Sequence, residues 1–443
     1  MKILIILVIM DWEKIINWLK EPIPNISITI FRIIFSGSLL IQTYYFISTG
    51  FIDDNIVKPF ILFPFISGLE PMSNFLLKGL SYIMLISNIG MLFNRFARIS
   101  ILIFLICFTY FWLLDKGYFN NHYYFISLMC FLLFLVDRKS AFSTISYTPR
   151  ISLFCLQAMV FIVYFVAGIN KLNPYWLLDL QPMTHILELK ATITNNPTFS
   201  HDLLIMAASY FGLIFDLCIG FLLFLKRTRK IAFILAIGFH VMNYYLFYNV
   251  GEIGVFPLIM LSTLILFISP KKLSQLFKLK KSKNQIRYSK GLYRFIIVFL
   301  MFQVILPFRH IVIPGYVDYT GVGQRFSWRM KIMYKNSDIS YFIINKNSDE
   351  KYEVHIEKML TPKQYNNLKY FPDLIIPLAK RIKLEAVEKY NIMSPKITCI
   401  YKTKFMGKYE QLLFSPDLDI ATIPEKQGAH KWMFPLKKST SKN

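Results

Sequence analysis

The sequence predicts a mostly α-helical membrane protein with about nine spans, followed by a small extracytoplasmic α+β domain. Three observations predict this class: apolar residues make up 55% of the 443 residues, charged residues make up only 17%, and the mean hydropathy is +0.45. Soluble domains carry about 25% charged residues, so the composition argues against a single soluble globule of this length. The high apolar content also argues against a disordered chain.

Nine apolar runs have a length close to the ~20 residues that a helix needs to cross a bilayer, and three of them are short. The runs are predicted at 27–49, 75–94, 98–114, 122–136, 150–168, 204–225, 230–248, 253–269 and 293–308. This pattern divides the chain into an interfacial N-terminal segment (1–26), a transmembrane domain (27–308) and an extracytoplasmic domain (309–443).

The N-terminal segment contains an apolar run at 3–9 that is too short to span a membrane and has no small-residue cleavage site after it. The residues that follow, from Trp12 to Leu19, have the pattern of an interfacial helix. Either Met1 or Met10 can be the true start of the protein.

Basic residues alternate between the loops. The loops after the second, fourth, sixth and eighth runs, with the adjoining run ends, hold 18 Lys and Arg, whereas the other loops hold five. The positive-inside rule therefore predicts a cytoplasmic N-terminus and places the chain after residue 308 on the far side of the membrane. The net charge of +24 is explained largely by this topology, so a nucleic-acid partner is not predicted.

The region after residue 308 is polar and alternates in the manner of short strands. Thr361 and Pro362 are typical of a helix start, and Leu374, Leu378 and Ile382 recur at the spacing of a second helix. The predicted strands are Trp328–Tyr334, Ser340–Asn345, Lys351–Ile356, Lys396–Tyr401 and Tyr409–Phe414.

The five cysteines contain no CxxC pair, and we interpret them as small buried hydrophobic residues rather than as a zinc or redox site. No metal-ligand spacing is present, so no metal is predicted. Arg32, near the inner end of the first run, is interpreted as a side chain that snorkels to the interface.

Several polar residues lie within the apolar runs or at their predicted outer ends. A charged side chain at membrane depth costs at least about 2.5 kcal/mol, so it usually marks a functional site or an internal pair. For each residue an ordinary interpretation stays open: an internal partner for Asp216, a hydrogen-bonded core position for His240, snorkelling for Lys171, and a cap or interfacial position for His122. The set comprises Asn120, Asn121, His122, Asn170, Lys171, Trp176, Asp216, His240 and Asn243.

Two of these residues, His122 and Lys171, are predicted at span ends on the same outer face as the C-terminal domain. An amine at an apolar boundary loses hydration, which favours its neutral form. A neutral amine can act as a base, and a nearby imidazole can stabilise a developing anion. The residues thus predict a base and a polar partner at the lipid boundary without naming a substrate.

At these positions the chain resembles the vitamin K-dependent gamma-carboxylases, as a bacterial-type homologue with an HTTM-like membrane domain. The resemblance extends from about residue 27 to 425. The similar strings are FNNHYY at 119–124, YFVAGINKLNPYWL at 164–177, FDLCIGFLLFLKRTR at 215–229, FHVMNYYLF at 239–247 followed by GVFPLIML, LPFRHIVIPGY at 306–316, RFSWRM at 325–330, LTPKQ at 360–364, FPDLII at 371–376 and FSPDLDIA at 414–421.

This resemblance implies an enzyme that couples oxidation of reduced vitamin K, a phylloquinol- or menaquinol-type hydroquinone, by O₂ to the epoxide with addition of CO₂ to glutamate side chains. The family's catalytic lysine falls on Lys171, and its functional histidine after two asparagines falls on His122. The partners implied are the lipid bilayer, a membrane quinone and an exported Glu-containing polypeptide, with no metal. Arg325, Trp328 and Arg329 are candidates for binding that substrate.

The chain departs from the family pattern at three places. About four extra residues, Glu252 among them, lie between Phe247 and Phe256. Gln324 replaces a tyrosine of the animal enzymes, and Met406-Gly407-Lys408 replaces a common Asn-Gly-Arg turn. These differences bear on recognition of the peptide substrate more than on the base.

Three functional hypotheses follow from the sequence. The first is an integral membrane gamma-glutamyl carboxylase, for which the residue bias and the unpaired cysteines favour a bacterial inner membrane. The second is a non-carboxylating HTTM-type membrane protein that assists maturation or export of a secreted peptide. The third is a quinone-binding redox protein, which the absence of a thiol pair disfavours.

Overall fold

The computed structural model describes residues 12–137, 144–248 and 253–437. The alternative starts Met1 and Met10, the apolar run 3–9 and the inserted Glu252 lie outside these residues. The helix α1 (Trp12–Lys20) occupies the segment predicted to be an interfacial helix.

A bundle of helices forms the body of the protein between residues 26 and 305. Most of its helices are almost wholly apolar, as the composition of the nine runs predicts. In chain order they are α2 (Ile26–Ser48), α3 (Asn74–Leu92), α4 (Ala97–Leu113), α5 (Asn121–Val136), α6 (Ile151–Asn170), α7 (Pro174–Leu177), α8 (Met183–Thr194), α9 (Asp202–Phe224), α10 (Arg229–Phe247), α11 (Phe256–Thr263), α12 (Pro270–Leu276) and α13 (Lys290–Ile305). Short 3₁₀ segments extend α11 over Leu264–Phe267 and α13 over Leu306–Val312, and a π-helical turn covers Asp53–Val57.

Five described helices are long and apolar enough to cross a membrane: α2, α6, α9, α10 and α13 with its extension to Val312. A sixth span results if α11 and α12, which meet at an angle of 92°, are taken as one bent element. The apolar helices α4 and α5 have only 17 and 16 residues, and at 1.5 Å per residue each is ~25 Å long. The predicted count of nine spans is therefore not confirmed.

Loops that the charge pattern assigns to one side of the membrane meet in the structure. A three-stranded sheet joins β1 (Pro22–Pro24), β2 (Thr144–Pro149) and β3 (Lys280–Gln285), with β1 antiparallel and β3 parallel to β2. Each strand lies a few residues before a long helix: β1 before α2, β2 before α6 and β3 before α13. The three helices therefore begin at the same end of the bundle.

The interpretation of Arg32 as a snorkelling side chain is wrong. Its guanidinium is fully buried and forms an ion pair with Asp137 over 2.7 Å. It also donates to the Met91 carbonyl and to Asn94 Oδ1 at the end of α3. Because neutralisation and hydrogen bonding are available inside the bundle, Arg32 does not need to reach the interface.

The C-terminal domain contains a four-stranded antiparallel sheet in the order β5-β4-β6-β7. The strands are β4 (Lys335–Asn345), β5 (Lys351–Val354), β6 (Pro395–Phe405) and β7 (Glu410–Leu412), and the helices are α14 (Val317–Thr320), α15 (Pro362–Tyr370) and α16 (Ile375–Glu388). The helix start predicted at Thr361 is confirmed, because Thr361 and Gln364 form a reciprocal capping box with Pro362 at the first turn. Single 3₁₀ turns cover Pro197–Ser200, Ile356–Lys358, Pro372–Leu374, Ile420–Thr422 and Ala429–Lys431.

One predicted strand, Trp328–Tyr334, is wrong. The segment consists of turns and irregular backbone, with positive φ at Trp328 (54°) and Lys331 (51°). The Trp328 ring is buried in the helical bundle, where it stacks on Tyr124 at 5.2 Å. The alternation of apolar residues here therefore reflects insertion into another domain and not pairing in a sheet.

The interpretation of the cysteines as buried hydrophobic residues holds for four of them. Cys107, Cys130, Cys155 and Cys399 are buried, and each is a free thiol. Cys218 is exposed on the outer surface of α9, which corrects the interpretation for that residue.

Candidate functional site

A cavity of about 110 Å³ lies among α5, α6, α9, α10 and α11. Its walls are mostly apolar, with Val163, Phe239, Met242 and Phe256 among the lining residues, and Met330 and Lys331 of the C-terminal region close one side. The polar residues that line it are His122, Tyr164, Lys171, Trp176, Asp216, His240 and Asn243. Six of these seven were selected from the sequence, and the fold brings them into one cavity.

The turn after α6 presents Lys171. Lys171 is the residue that ends the helix, and its N–H donates to the Gly168 carbonyl over 3.0 Å. Asn173 then begins α7: its side chain accepts from the N–H of Trp176 and donates to the carbonyl of Asn170. Asparagine before proline is a frequent helix start, so the string NKLNPYW specifies a tight turn that returns Trp176 towards Lys171.

Lys171 forms a buried ion pair inside the cavity. Its Nζ lies 2.5 Å from Asp216 Oδ2 and 3.3 Å from the Gly212 carbonyl, and it lies over the Trp176 ring at 4.9 Å. Gly212 and Asp216 are one helical turn apart on α9, so both face α6. Of the interpretations left open by the sequence, the internal partner of Asp216 is found, and Lys171 is buried rather than snorkelling.

A second polar pair lies on another wall of the cavity. His240 Nε2 and the Tyr164 hydroxyl are 2.7 Å apart, and both side chains are buried. His240 is thus a hydrogen-bonded core histidine that also lines the cavity. Asp216 and His240 have different hydrogen-bond partners, Lys171 and Tyr164 respectively.

Sequence reasoning missed Tyr164, although a signal was present. Tyr164 lies seven residues before Lys171, which places the two side chains on the same face of one helix two turns apart. The lining residues Met330 and Lys331 were missed as well, because they lie within the segment that was predicted as a strand. Their position depends on how the C-terminal region packs against the bundle.

His122 lies at the beginning of α5 and stacks on Phe256 with a ring distance of 3.8 Å and an angle of 5°. Asn120 supports this helix start, because its side chain accepts from the Tyr123 N–H. Stacking on Phe256 therefore fixes the orientation of the His122 ring. The carbonyl oxygen of the neighbouring Asn121 side chain is buried and has no donor among the described residues.

The three residues predicted to bind substrate are not among the described residues that line the cavity. Arg325 pairs with Asp373 over 2.7 Å and packs against Phe371. Arg329 is held by Asp318, and Trp328 is buried in the bundle core.

Two helices that line the cavity also form the surface of the bundle. Less than half of the residues in the apolar stretches of α9 and α10 are buried. Ile214, Ile234 and Val241 are each more than half exposed. Apolar surface of this extent on long apolar helices is suited to contact with lipid. The cavity therefore lies one helix layer from an exposed apolar surface that is suited to lipid.

No group of three or more His, Cys, Asp or Glu side chains within 12–137, 144–248 and 253–437 is arranged to hold a metal ion.

Comparison with known proteins gives two family matches. The family described as HTTM domain matches residues 20–271, which is more than half of the chain. The family described as vitamin K-dependent gamma-carboxylase, lumenal domain, matches residues 288–439. No solved structure matches the chain significantly.

Proposed function

The chain belongs to the HTTM domain family and carries a gamma-carboxylase lumenal domain, and from this premise we propose that it carboxylates glutamate side chains of exported polypeptides, with reduced vitamin K as co-substrate. The observation that carries the proposal is the buried Lys171–Asp216 pair in an apolar cavity beside lipid-facing helices. The comparisons already identify a carboxylase-like membrane protein with an extracytoplasmic C-terminal domain; the substrate, the quinone and the residue roles are the proposal.

The cavity suits a lipophilic hydroquinone. Such a ligand needs apolar walls for its rings and polar groups at its two hydroxyls, and small-molecule sites in proteins usually combine these features. Phe239, Met242, Phe247 and Met260 supply apolar surface, while Lys171 and the histidines supply the polar groups.

When bound, reduced vitamin K reacts with O₂ to give the epoxide and water, and this reaction supplies the base that removes the γ-hydrogen of glutamate before CO₂ adds to the carbon. Lys171 and Asp216 handle the first proton as a unit. Whether Nζ or Oδ2 carries the shared proton, the pair can take up one more and end as an ammonium beside a carboxylic acid. We propose Lys171 Nζ as the base in the form of the pair in which the shared proton lies on Asp216 Oδ2, because only then is the amine neutral and able to accept the proton of the hydroquinone.

The other polar residues orient and stabilise. His122 is held flat against Phe256, so its ring presents a fixed edge to the cavity for hydrogen bonding to a developing anion. The Tyr164–His240 pair supplies a second hydrogen-bonding position in the same cavity. The apolar walls exclude water, which strengthens each of these interactions and protects a carbanion.

The lipophilic co-substrate reaches the cavity from the bilayer, and the polypeptide reaches it from the side of the C-terminal domain. The exposed apolar face of α9 and α10 supports the first route, and the contribution of Met330 and Lys331 to the cavity supports the second. This arrangement requires a cytoplasmic N-terminus, which the loop charges support, and a division of the chain near residue 309. A bacterial inner membrane is the location we propose.

The decisive experiment is incubation of the purified protein with reduced vitamin K, labelled bicarbonate and a Glu-rich peptide. Wild-type protein should transfer label to the peptide, and Lys171→Ala should abolish transfer while the protein stays folded. His122→Ala should lower the turnover without removing quinone binding. Lys78→Ala, which removes a surface lysine paired with Asp53 at an outer helix end, is the matched control and should retain full activity.

Full activity of Lys171→Ala would refute the assignment of the base. Absence of label transfer by wild-type protein across a panel of Glu-rich peptides, in the presence of quinone binding, would favour the alternative of a non-carboxylating HTTM-type protein that assists maturation or export of a secreted peptide. Epoxide formation without any label in the peptide would instead favour a quinone-oxidising protein.

A further inference from the structure

A buried polar network connects the C-terminal region to the residue that precedes Lys171. Arg329 forms two hydrogen bonds with Asp318, at 2.7 Å to Oδ1 and 2.6 Å to Oδ2. Its remaining nitrogen Nη1 donates to Asn170 Oδ1 over 2.7 Å. The Asn170 side chain in turn donates to the Ser327 carbonyl over 2.7 Å.

Every member of this network is shielded from solvent. The exposed fraction of the Asp318 side chain is 0%, that of the Arg329 side chain is 5%, and Asn170 is also buried. A bidentate arginine–carboxylate pair has a narrowly defined geometry, so it holds Nη1 at a fixed position. Both hydrogen-bonding ends of the Asn170 amide are thereby fixed by residues of the C-terminal region.

Asn170 controls the orientation of Lys171 through the backbone. It is the last residue of α6, Lys171 follows it directly, and its carbonyl accepts from the Asn173 side chain in the same turn. A rotation of Asn170 would change the direction of the Lys171 side chain towards Asp216 and Trp176. Small displacements of this kind are costly for proton transfer, which needs donor and acceptor within hydrogen-bonding reach.

The segment that carries Arg329 has a strained backbone. Phe326, Trp328 and Lys331 have φ angles of 62°, 54° and 51°, a region that large side chains rarely adopt. The same segment continues into the cavity wall at Met330 and Lys331. Strained conformations persist where the surrounding contacts over-determine them, and they concentrate at functional sites.

We infer that the Asp318–Arg329 pair is a positioning device that orients Lys171 through Asn170 and links the C-terminal domain to the cavity. The inference rests on the proposed role of Lys171 and adds three positioning residues to it. Arg329 and Asp318 act on the proton-transfer step and do not contact the co-substrate, so their loss changes kcat and the reactivity of the Lys171 amine more than KM.

The test uses Arg329→Lys in the full-length protein. Lysine keeps the positive charge opposite Asp318 but has a single nitrogen, so it cannot bind both Asp318 oxygens and Asn170. We expect a folded protein with kcat reduced 10-fold or more, a KM for the peptide within 2-fold of wild type, and a changed pH dependence of Lys171 acetylation by an N-hydroxysuccinimide ester of acetic acid, followed by mass spectrometry. Wild-type kcat together with a wild-type acetylation profile would overturn the inference.

Arg381→Lys is the matched control. Arg381 is another arginine of the C-terminal domain that pairs with a carboxylate, Glu385 at 2.9 Å, and contacts a loop of the helical bundle at Phe60. It does not touch Asn170, and its substitution should leave kcat and Lys171 acetylation unchanged. An equal change in both variants would show a general structural effect and overturn the inference.

If Arg329→Lys does not fold, Asn170→Ala removes the last link alone and leaves Asp318 and Arg329 paired. The same changes in kcat and acetylation are expected, and normal values would overturn the inference. The acetylation measurement does not require carboxylase activity. A wild-type protein without carboxylation would therefore refute the proposed function, while altered Lys171 acetylation in Arg329→Lys would still support the positioning role.

Discussion

The Lys171–Asp216 pair is the residue-scale feature on which the proposed function depends. Removing two charges from water is expensive, and their attraction compensates only when the geometry is good and further hydrogen bonds are available. The Gly212 carbonyl and the Trp176 ring provide additional stabilisation of the ammonium. Leucine and methionine would fill the same space at a lower cost in folding free energy. The presence of the ion pair in an apolar bundle is therefore explained by the chemistry that we propose for it.

This reasoning predicts a stability pattern for the pair. Lys171→Met and Asp216→Leu each leave one buried charge without its partner, so each should lower the free energy of unfolding by about 3–5 kcal/mol. The double variant should recover most of this loss, whereas all three variants should lack carboxylation. Thermal unfolding in detergent and the labelled-bicarbonate assay measure the two effects.

The exposed pair Lys58–Asp54, 2.7 Å apart, provides the control. Lys58→Ala should leave the thermal midpoint close to that of wild type, because solvent screens exposed ion pairs. A double variant at the cavity that is less stable than both single variants would contradict this interpretation, in which the pair is present for its chemistry and not for stability.

At the scale of elements, the contact between α6 and α9 determines the geometry of the site. These two helices carry the two members of the ion pair, and they approach closely at glycines. A Cβ at Gly168 would lie 2.8 Å from the Leu217 side chain and backbone nitrogen, and a Cβ at Gly220 would lie 2.5 Å from Phe161. Small residues at helix contacts let the backbones come together in membrane proteins.

Gly168→Ala should therefore separate α6 from α9 and displace Asp216, which adjoins Leu217. We expect a lower thermal midpoint and at least a 10-fold loss of carboxylation, since the backbone nitrogen of Leu217 cannot move aside independently of the helix. Gly238→Ala on α10 is the control: a Cβ there meets no atom within 4 Å, and the change should be neutral or stabilising by up to ~1 kcal/mol. Equal effects of the two substitutions would contradict the close-contact argument.

At the scale of the whole molecule, the two parts of the chain share their cores. Trp328 belongs to the core of the helical bundle, and Phe63, from a loop of the bundle, belongs to the core of the C-terminal domain. The beginning of α15 contacts two loops of the bundle, the one that contains Phe63 and the one that follows α4. Gln364 donates to Asp115 Oδ2 over 2.6 Å and to the Ile61 carbonyl over 2.8 Å. Asn367 also donates to the Gly117 carbonyl. The two domains are therefore expected to unfold together.

This interface is predicted to weaken as pH rises. Burial, opposed by hydrogen bonds from Gln364 and Gly117, raises the pKa of Asp115 to about 6 from its ordinary value of 3.8. A group whose pKa is higher in the folded state contributes stability that is complete below its ordinary pKa and is lost as pH rises through 6. The contribution corresponds to at most ~3 kcal/mol, since one pKa unit corresponds to ~1.4 kcal/mol.

Wild-type protein should accordingly lose stability between about pH 4 and pH 6 relative to Asp115→Asn, in which this group does not titrate. The measurement is the thermal midpoint of both proteins across that range. The exposed Asp417 provides the control, because Asp417→Asn should retain the wild-type dependence. Parallel pH profiles of wild type and Asp115→Asn would contradict the role of Asp115.

Most of the secondary structure could be predicted because it depends on local pattern. The run lengths predict α2, α6, α9 and α10 to within a few residues, and the capping pattern predicts the start of α15. The Trp328–Tyr334 segment could not be predicted, because its apolar residues serve a contact with the bundle that is distant in sequence. The number of membrane crossings also depends on more than length, since α4 and α5 are short and α11 and α12 meet at 92°.

The sequence by itself determined that this is a membrane protein, that its loops alternate in charge, and that a small set of polar residues lies among apolar ones. Composition and helical period are enough for these conclusions, because each depends on neighbours within a few turns. Only the tertiary structure decided that Lys171 meets Asp216, that Arg32 meets Asp137, that Tyr164 joins the cavity and that Arg329 reaches Asn170. The period of a helix tells which side chains share a face, but the partner of that face depends on how helices far apart in the sequence pack together.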